Sequence, residues 1–168
     1  MSEPAHVRNT FHLVVRQPLH RAAALFGPDG ERCWAGPTWN PEFLYPQPGR
    51  DVQGAVFTVQ HGPHASVWVN TVFDLASGRM QYVTFVPDKM VSTVDVRLTS
   101  LDASRTRVEV TYARTALNVS ANEDVEAMGS RDRDIGPEWE RAIEACTSSH
   151  LFVLAQARGH PSEKSRSE

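Results

Sequence analysis

Few residues in this 168-residue chain have the type and spacing for chemistry. His61 and His64 stand three apart in "HGPH". Such pairs occur in metal sites, but a site needs a third and usually a fourth ligand. No cysteine or carboxylate lies within a few residues, and Gly62–Pro63 is strong turn chemistry. The stretch reads as a hairpin turn, and no metal is expected. Arg114 shares a strand parity with Val108, Val110 and Tyr112. If that parity holds, its guanidinium points inward, where it needs a partner because an unpaired buried charge is costly. Asp74 and Glu138 are the candidates, and a rim position with the head in water is the alternative. His12 and His150 fall on apolar faces, either towards a cavity or as satisfied core residues. Cys33 and Cys146 fit no metal or redox spacing and read as free thiols of a reducing interior. No G-x-S-x-G, P-loop or G-x-G-x-x-G occurs, so no nucleophile elbow is visible and no cofactor is expected.

These residues must be held by elements that the pattern announces. "NTFHLVV" (Asn9–Val15) is rich in β-branched and aromatic residues and reads as a strand. "QPLHRAAALFG" reads as a short helix, with Pro18 suited to its first turn and Gly27 to its end. A second turn continues it around Gly30 to Trp34. From Gly54 the chain reads as five strands: Gly54–Gln60, Ser66–Leu75, Arg79–Pro87, Met90–Asp102 and Arg105–Leu117. Turn signals as short as "HGPH", "ASG", "PDK" and "DAS" separate them, which requires antiparallel hairpins. Val94, Val96 and Leu98 alternate with Asp95, Arg97 and Thr99, so one face points inward and one to water. Beyond Asn118 the composition turns helix-forming. From Gly136–Pro137 the residues Trp139, Ala142, Ile143, Cys146, His150, Val153 and Leu154 recur at three and four residues, predicting a long amphipathic helix. A less regular helix or loop is expected before it. Residues 1–160 form one expected domain, and 161–168 a polar tail expected to be disordered.

Bulk properties narrow the partners. A net charge of −3 gives no basic footprint for nucleic acid. No apolar run reaches the ~18 residues that span a bilayer, and "MSEPAHVRNTFHLVV" has no signal-peptide pattern, so the expected location is the cytoplasm.

"GERCWAGPTWNPEFLYPQPG" (Gly30–Gly49) stands apart. It carries Trp34, Trp39, Phe43 and Tyr45, yet prolines 37, 41, 46 and 48 exclude a helix interior or a central strand. It reads as ordered loop.

The sequence order, together with "GERCWAGPTWNPEFLYP" leading into "GAVFTV", and "TRVEVTYARTAL" leading into "PEWERAIEA", resembles the START/polyketide-cyclase-like (SRPBCC) superfamily. The resemblance implies an α+β helix-grip fold: a curved antiparallel sheet of six or seven strands around a long C-terminal helix, enclosing a cavity. It also implies that the aromatic stretch borders the cavity mouth, with Trp39 and Tyr45 as its gate, the alternative being a core plug. The candidate ligand-binding residues are Trp39, Tyr45, Phe57, Trp68, Tyr82, Phe85, Tyr112, Arg114 and Trp139. Tyr82 and Phe85 have opposite parity and cannot both face inward without a bulge. The implied function is binding of a small hydrophobic molecule, lipid-like or polyketide-like, with a homodimer left open. One alternative is a cyclase, aromatase or hydrolase, with Tyr82, Tyr112, His12 and Arg114 as the available proton-moving groups. The other is a protein-interaction module with a collapsed cavity.

Overall fold

The computed structural model describes residues 3–149. Its elements are β1 (His6–Val15), α1 (Leu19–Ala24), a 3-10 turn (Gly30–Cys33), β2 (Glu42–Tyr45), β3 (Val56–His61), β4 (His64–Asp74), β5 (Arg79–Val86), β6 (Met90–Ser100) and β7 (Thr106–Ala116). A second 3-10 turn (Val119–Ala121) then leads into α2 (Asn122–Asp134) and α3 (Gly136–Thr147). The seven strands form one antiparallel sheet in the order β1-β7-β6-β5-β4-β3-β2. The meander therefore runs from β7 to the edge strand β2, and the first strand returns to close the far side against β7. The curved sheet grips the C-terminal helices, which is the α+β architecture expected.

Pleating explains the sheet's two faces. In β6, Met90, Ser92, Val94, Val96 and Leu98 are buried, while Thr93 and Arg97 are exposed. In β7, Val108, Val110 and Arg114 are buried on the matching face. The register sets Leu98 opposite Val108, Val96 opposite Val110, Val94 opposite Tyr112 and Ser92 opposite Arg114. On the outer face the Arg97 guanidinium donates to the Asp95 carboxylate of the same strand at 3.1 Å.

Three boundaries differ from the sequence reading. The aromatic stretch is not all loop: Glu42–Tyr45 pairs with β3. Pro41 and Pro46 flank this short strand, and it lies at the sheet edge, where missing N–H donors do no harm. Second, Asn122–Asp134 is a regular helix. Its buried residues Val125, Gly129 and Asp132 follow a helical stripe with only one large apolar side chain, so the periodicity is weak. Gly129 permits the close crossing over β1, since a Cβ there would meet Val7 Cγ2 at 2.7 Å. Third, α3 spans Gly136–Thr147, while the predicted continuation to Val153, with His150, lies outside the described residues. Pro137 separates α2 from α3 because it has no N–H to carry the ladder on. The amides of Glu138 and Trp139 restart it on the Ile135 carbonyl at 3.0 and 3.1 Å.

The main core lies between the sheet's concave face, α1 and α3, around Phe11, Phe26, Phe57, Met80, Val110 and Ile143. A smaller cluster of Met90, Ala116, Ala121 and Val125 seats α2. Cys33 and Cys146 form a disulfide with Cα atoms 5.7 Å apart, which corrects their reading as free thiols. The 3-10 turn and α3 are brought together by the fold, not by sequence spacing. With the free thiols goes the argument for a reducing compartment.

Candidate functional site

A cavity of about 620 Å³ lies between the sheet, the aromatic stretch and the paired helices α2 and α3. Its wall includes all four tryptophans of the chain: Trp34, Trp39, Trp68 and Trp139. Tyr82, Tyr112 and Phe26 join them.

The rings hold both packing and polar roles. The end of a helix leaves carbonyls without partners. At the end of α1 the indole N–H of Trp34 donates to the Leu25 carbonyl at 2.7 Å. The Tyr82 hydroxyl donates to the Phe26 carbonyl at 2.6 Å, and the Trp39 indole to the Pro28 carbonyl at 2.9 Å. Three aromatic groups thus fix the turn after α1, and their ring faces remain for packing and for the cavity. Trp39 meets Trp68 edge-on at 5.4 Å, and Trp34 meets Trp139 at 4.9 Å beside the disulfide. Trp68 in turn donates to Ser66 Oγ at 2.8 Å, which fixes its indole.

Of the residues predicted to line the cavity, Trp39, Trp68, Tyr82, Tyr112, Arg114 and Trp139 do so. Phe57 is fully buried core, stacked on Trp68 at 5.8 Å but behind the wall. Tyr45 is 60% exposed, because it ends the edge strand facing solvent, so it is no gate. Phe85 is also exposed, on the opposite pleat from Tyr82, and the parity conflict resolves in favour of Tyr82. His12 does not face the cavity: its Nε2 and a Glu109 carboxylate oxygen lie 2.9 Å apart on the outer side of the sheet. His61 and His64 flank the β3–β4 turn as predicted and lie on the cavity's exposed rim. Among the described residues no three potential ligands are grouped to hold a metal.

Arg114 is buried, not snorkelled to the rim. Its Nε and Nη2 donate to the two carboxylate oxygens of Asp132 at 2.6 and 2.8 Å, and Nη1 donates to Ser92 Oγ at 3.3 Å. The partner is Asp132 of α2, not Asp74 or Glu138. Asp74 instead accepts the amides of Ala76 and Ser77 in its own turn. The guanidinium also lies 4.4 Å over the Tyr112 ring.

The sequence reading missed Glu31. It stands in the first turn of the 3-10 segment, lines the cavity, and carries no hydrogen bond or ion pair on its carboxyl among the described residues. Gly30 makes this placement possible, because a Cβ there would strike the Ala24 carbonyl oxygen at 1.9 Å. Asp51 supports the same turn by accepting the amides of Asp29 and Gly30 at 2.9 and 3.2 Å. Burial, and then the negative charge of Asp51, push the Glu31 carboxyl up to about 8. Burial raises the Tyr82 and Tyr112 hydroxyls as well. The only sequence signal for Glu31 was an acid inside an aromatic stretch.

The Glu31 shift has a measurable sign. Its carboxyl rises from an ordinary 4.5 to about 8, so between these values the native chain holds a proton that the unfolded chain releases. Stability should therefore fall as pH rises from about 5 to about 8, by at most ~1.4 kcal/mol per pH unit from this group. Urea titrations of the protein and of Glu31→Gln across that range check this: the variant should show the flatter profile, and parallel profiles would contradict the shift.

No protein-family model matches the chain, and no curated protein matches it by sequence. Solved structures do match. Norcoclaurine synthase from Thalictrum flavum, in complex with dopamine and hydroxybenzaldehyde, superposes with a TM-score of 0.62 at 9% identity, covering 94% of this chain and 91% of that one. The protein named Ara h 8.0201 gives 0.58 at 15% identity over 90% and 99% of the two chains. The XoxI protein from Bacillus cereus gives 0.59 at 15% identity over 84% and 96%. The fold is the helix-grip fold. It is the architecture of the START/polyketide-cyclase-like superfamily, and at these identities the likeness establishes the fold alone. Among the described residues of this helix-grip chain, the gripped element is two helices, α2 and α3, joined at Ile135.

Proposed function

We propose that this helix-grip protein binds a small hydrophobic molecule in its cavity. The observation that carries the reading is an open space of about 620 Å³ whose wall holds every tryptophan of the chain and two tyrosines, together with aliphatic and charged side chains. That volume suits a ligand of drug-like size, and apolar walls with a few placed polar groups are the usual composition of such sites. One structural relative points the same way, since norcoclaurine synthase is seen with dopamine and hydroxybenzaldehyde. An open cavity also leaves the collapsed-cavity interaction module without its premise.

An enzymatic reading would need an acid–base group free to act on a substrate. Arg114 and Asp132 occupy each other. Glu31, raised into the range useful at neutral pH, is the observation that favours catalysis.

Trp39 tests the binding reading. It is half-buried, with one side on Trp68 and Phe57 and another on the cavity. Trp39→Ala should weaken uptake of the neutral fluorophore N-phenyl-1-naphthylamine several-fold. Its stability cost should fall below the about 3–5 kcal/mol typical of a ring removed from a closed core. Unchanged probe affinity, or outright unfolding, would place Trp39 in a structural role only.

A further inference from the structure

We propose that the molecule taken up carries a protonated amine, and that Glu31 receives it. The proposal rests on the small-molecule reading above and adds a ligand class to it.

Two cations of the cavity wall, Arg114 and Lys89, are committed to carboxylates. Arg114 is committed to Asp132 and Ser92. Lys89 at the rim is committed to Asp124, Nζ to Oδ2 at 2.6 Å. Arg131 and Glu138 stand on exposed helix faces. Glu31 alone is held on the inner wall without a hydrogen-bond donor or a cation of its own among the described residues. An anionic ligand would find its uncommitted cation, Arg131, on the exposed face of α2, whereas the inner wall offers it only the like charge of Glu31. A purely apolar ligand would cover the carboxyl and leave it without a partner, which is costly. A ligand ammonium supplies both donor and charge.

The surrounding rings favour the same ligand. Trp34 follows Glu31 by three residues on the same turn and packs on Trp139. Tyr82 and Tyr112 face Glu31 closely enough to feel its charge. Aromatic faces attract cations, most strongly where water is displaced. A carboxylate in such surroundings attracts a cation more strongly than one in water. An arylalkylamine would set its ammonium at Glu31 and its ring among the tryptophans.

Ionisation makes the idea sharper. The groups that interact by charge with Glu31 are Asp51, with Asp29 and Arg32 beyond it, Tyr82 from β5 and Tyr112 from β7; Arg114, Asp132 and Arg131 act in turn on Tyr112. In the empty cavity Glu31 keeps its proton up to about pH 8. An amine with an ordinary pKa of about 10 stays charged throughout this range. Binding of the ammonium to the carboxylate therefore releases a proton at neutral pH and strengthens as pH rises.

The experiment is calorimetric titration of the disulfide-intact chain with tryptamine, 3-propylindole and indole-3-propionate. These share a ring and a three-atom arm, and differ in carrying a positive, no, or a negative charge. Tryptamine should bind at least tenfold more tightly than 3-propylindole at about pH 8.5, as expected for a charge-assisted bond. Its affinity should fall at least tenfold by about pH 6.5, while that of 3-propylindole stays level. Glu31→Gln should bring tryptamine to the affinity of 3-propylindole and remove the pH dependence. If that variant does not fold, the pH dependence of the unaltered chain decides alone. Uptake of 3-propylindole with no preference for tryptamine, or tryptamine binding unchanged in Glu31→Gln, overturns the amine proposal and leaves the small-molecule reading standing. Failure to take up any of the three indoles overturns both.

Discussion

Reducing the Cys33–Cys146 disulfide should lower the melting temperature by roughly 10–20 °C. The bond joins residues 113 apart in sequence. In the chain-entropy account, closing a loop of about 100 residues restricts the unfolded state by about 4.7 kcal/mol. For a chain of this size each kcal/mol corresponds to about 2–4 °C. The bond ties the 3-10 turn to α3 beside the Trp34–Trp139 contact, so reduction should also loosen one end of the cavity. Thermal unfolding with and without reductant, and of the Cys33→Ser, Cys146→Ser double variant, measures the effect. A shift of less than about 3 °C, or alkylation of both thiols without prior reduction, would show that the bond contributes no such constraint.

Arg114→Ala and Asp132→Ala should each cost about 3–5 kcal/mol, because each leaves a buried charge without its partner. Both side chains are only 8% exposed, so water cannot take over the lost contacts. Replacing both together, as Arg114→Met with Asp132→Leu, should recover much of the loss, since apolar substitution of a whole buried pair is often neutral or better. Urea unfolding of the two single variants and the double variant forms the test. Single variants that lose less than about 1 kcal/mol, or a double variant that loses the sum of both, would contradict a tightly coupled buried pair.

How much of this was legible in the chain follows from the range of each interaction. The alternation of β6 and β7 is local, and it correctly turned Val94, Val96 and Tyr112 inward, while leaving Arg114 open between the interior and the rim. The five hairpin-linked strands followed from short turns for the same reason. Strand β2 did not, because four residues between prolines carry no period to read. The partner of Arg114 was hidden because Asp132 lies on α2, whose buried stripe includes a glycine and the aspartate itself in place of apolar residues. The disulfide depends on α3 and the 3-10 turn meeting across the fold, which spacing cannot reveal. Tyr45 and Phe85 were placed in the site by residue type, whereas their exposure is set by edge position and pleat. Glu31 escaped because a single 3-10 turn has neither a face nor a repeat. Its importance comes from what surrounds it, not from its neighbours in sequence.

The central claim is that a hydrophobic molecule enters the space between the sheet and helices α2 and α3. The chain carries its own reporters, since every tryptophan lies in that wall. The most direct measurement is energy transfer from tryptophan to N-phenyl-1-naphthylamine during titration of the disulfide-intact protein. The account predicts saturation at one probe per chain, with loss of most of the tryptophan emission and matching growth of probe emission. Saturable binding that leaves tryptophan emission intact, or no saturable binding at all, would contradict it.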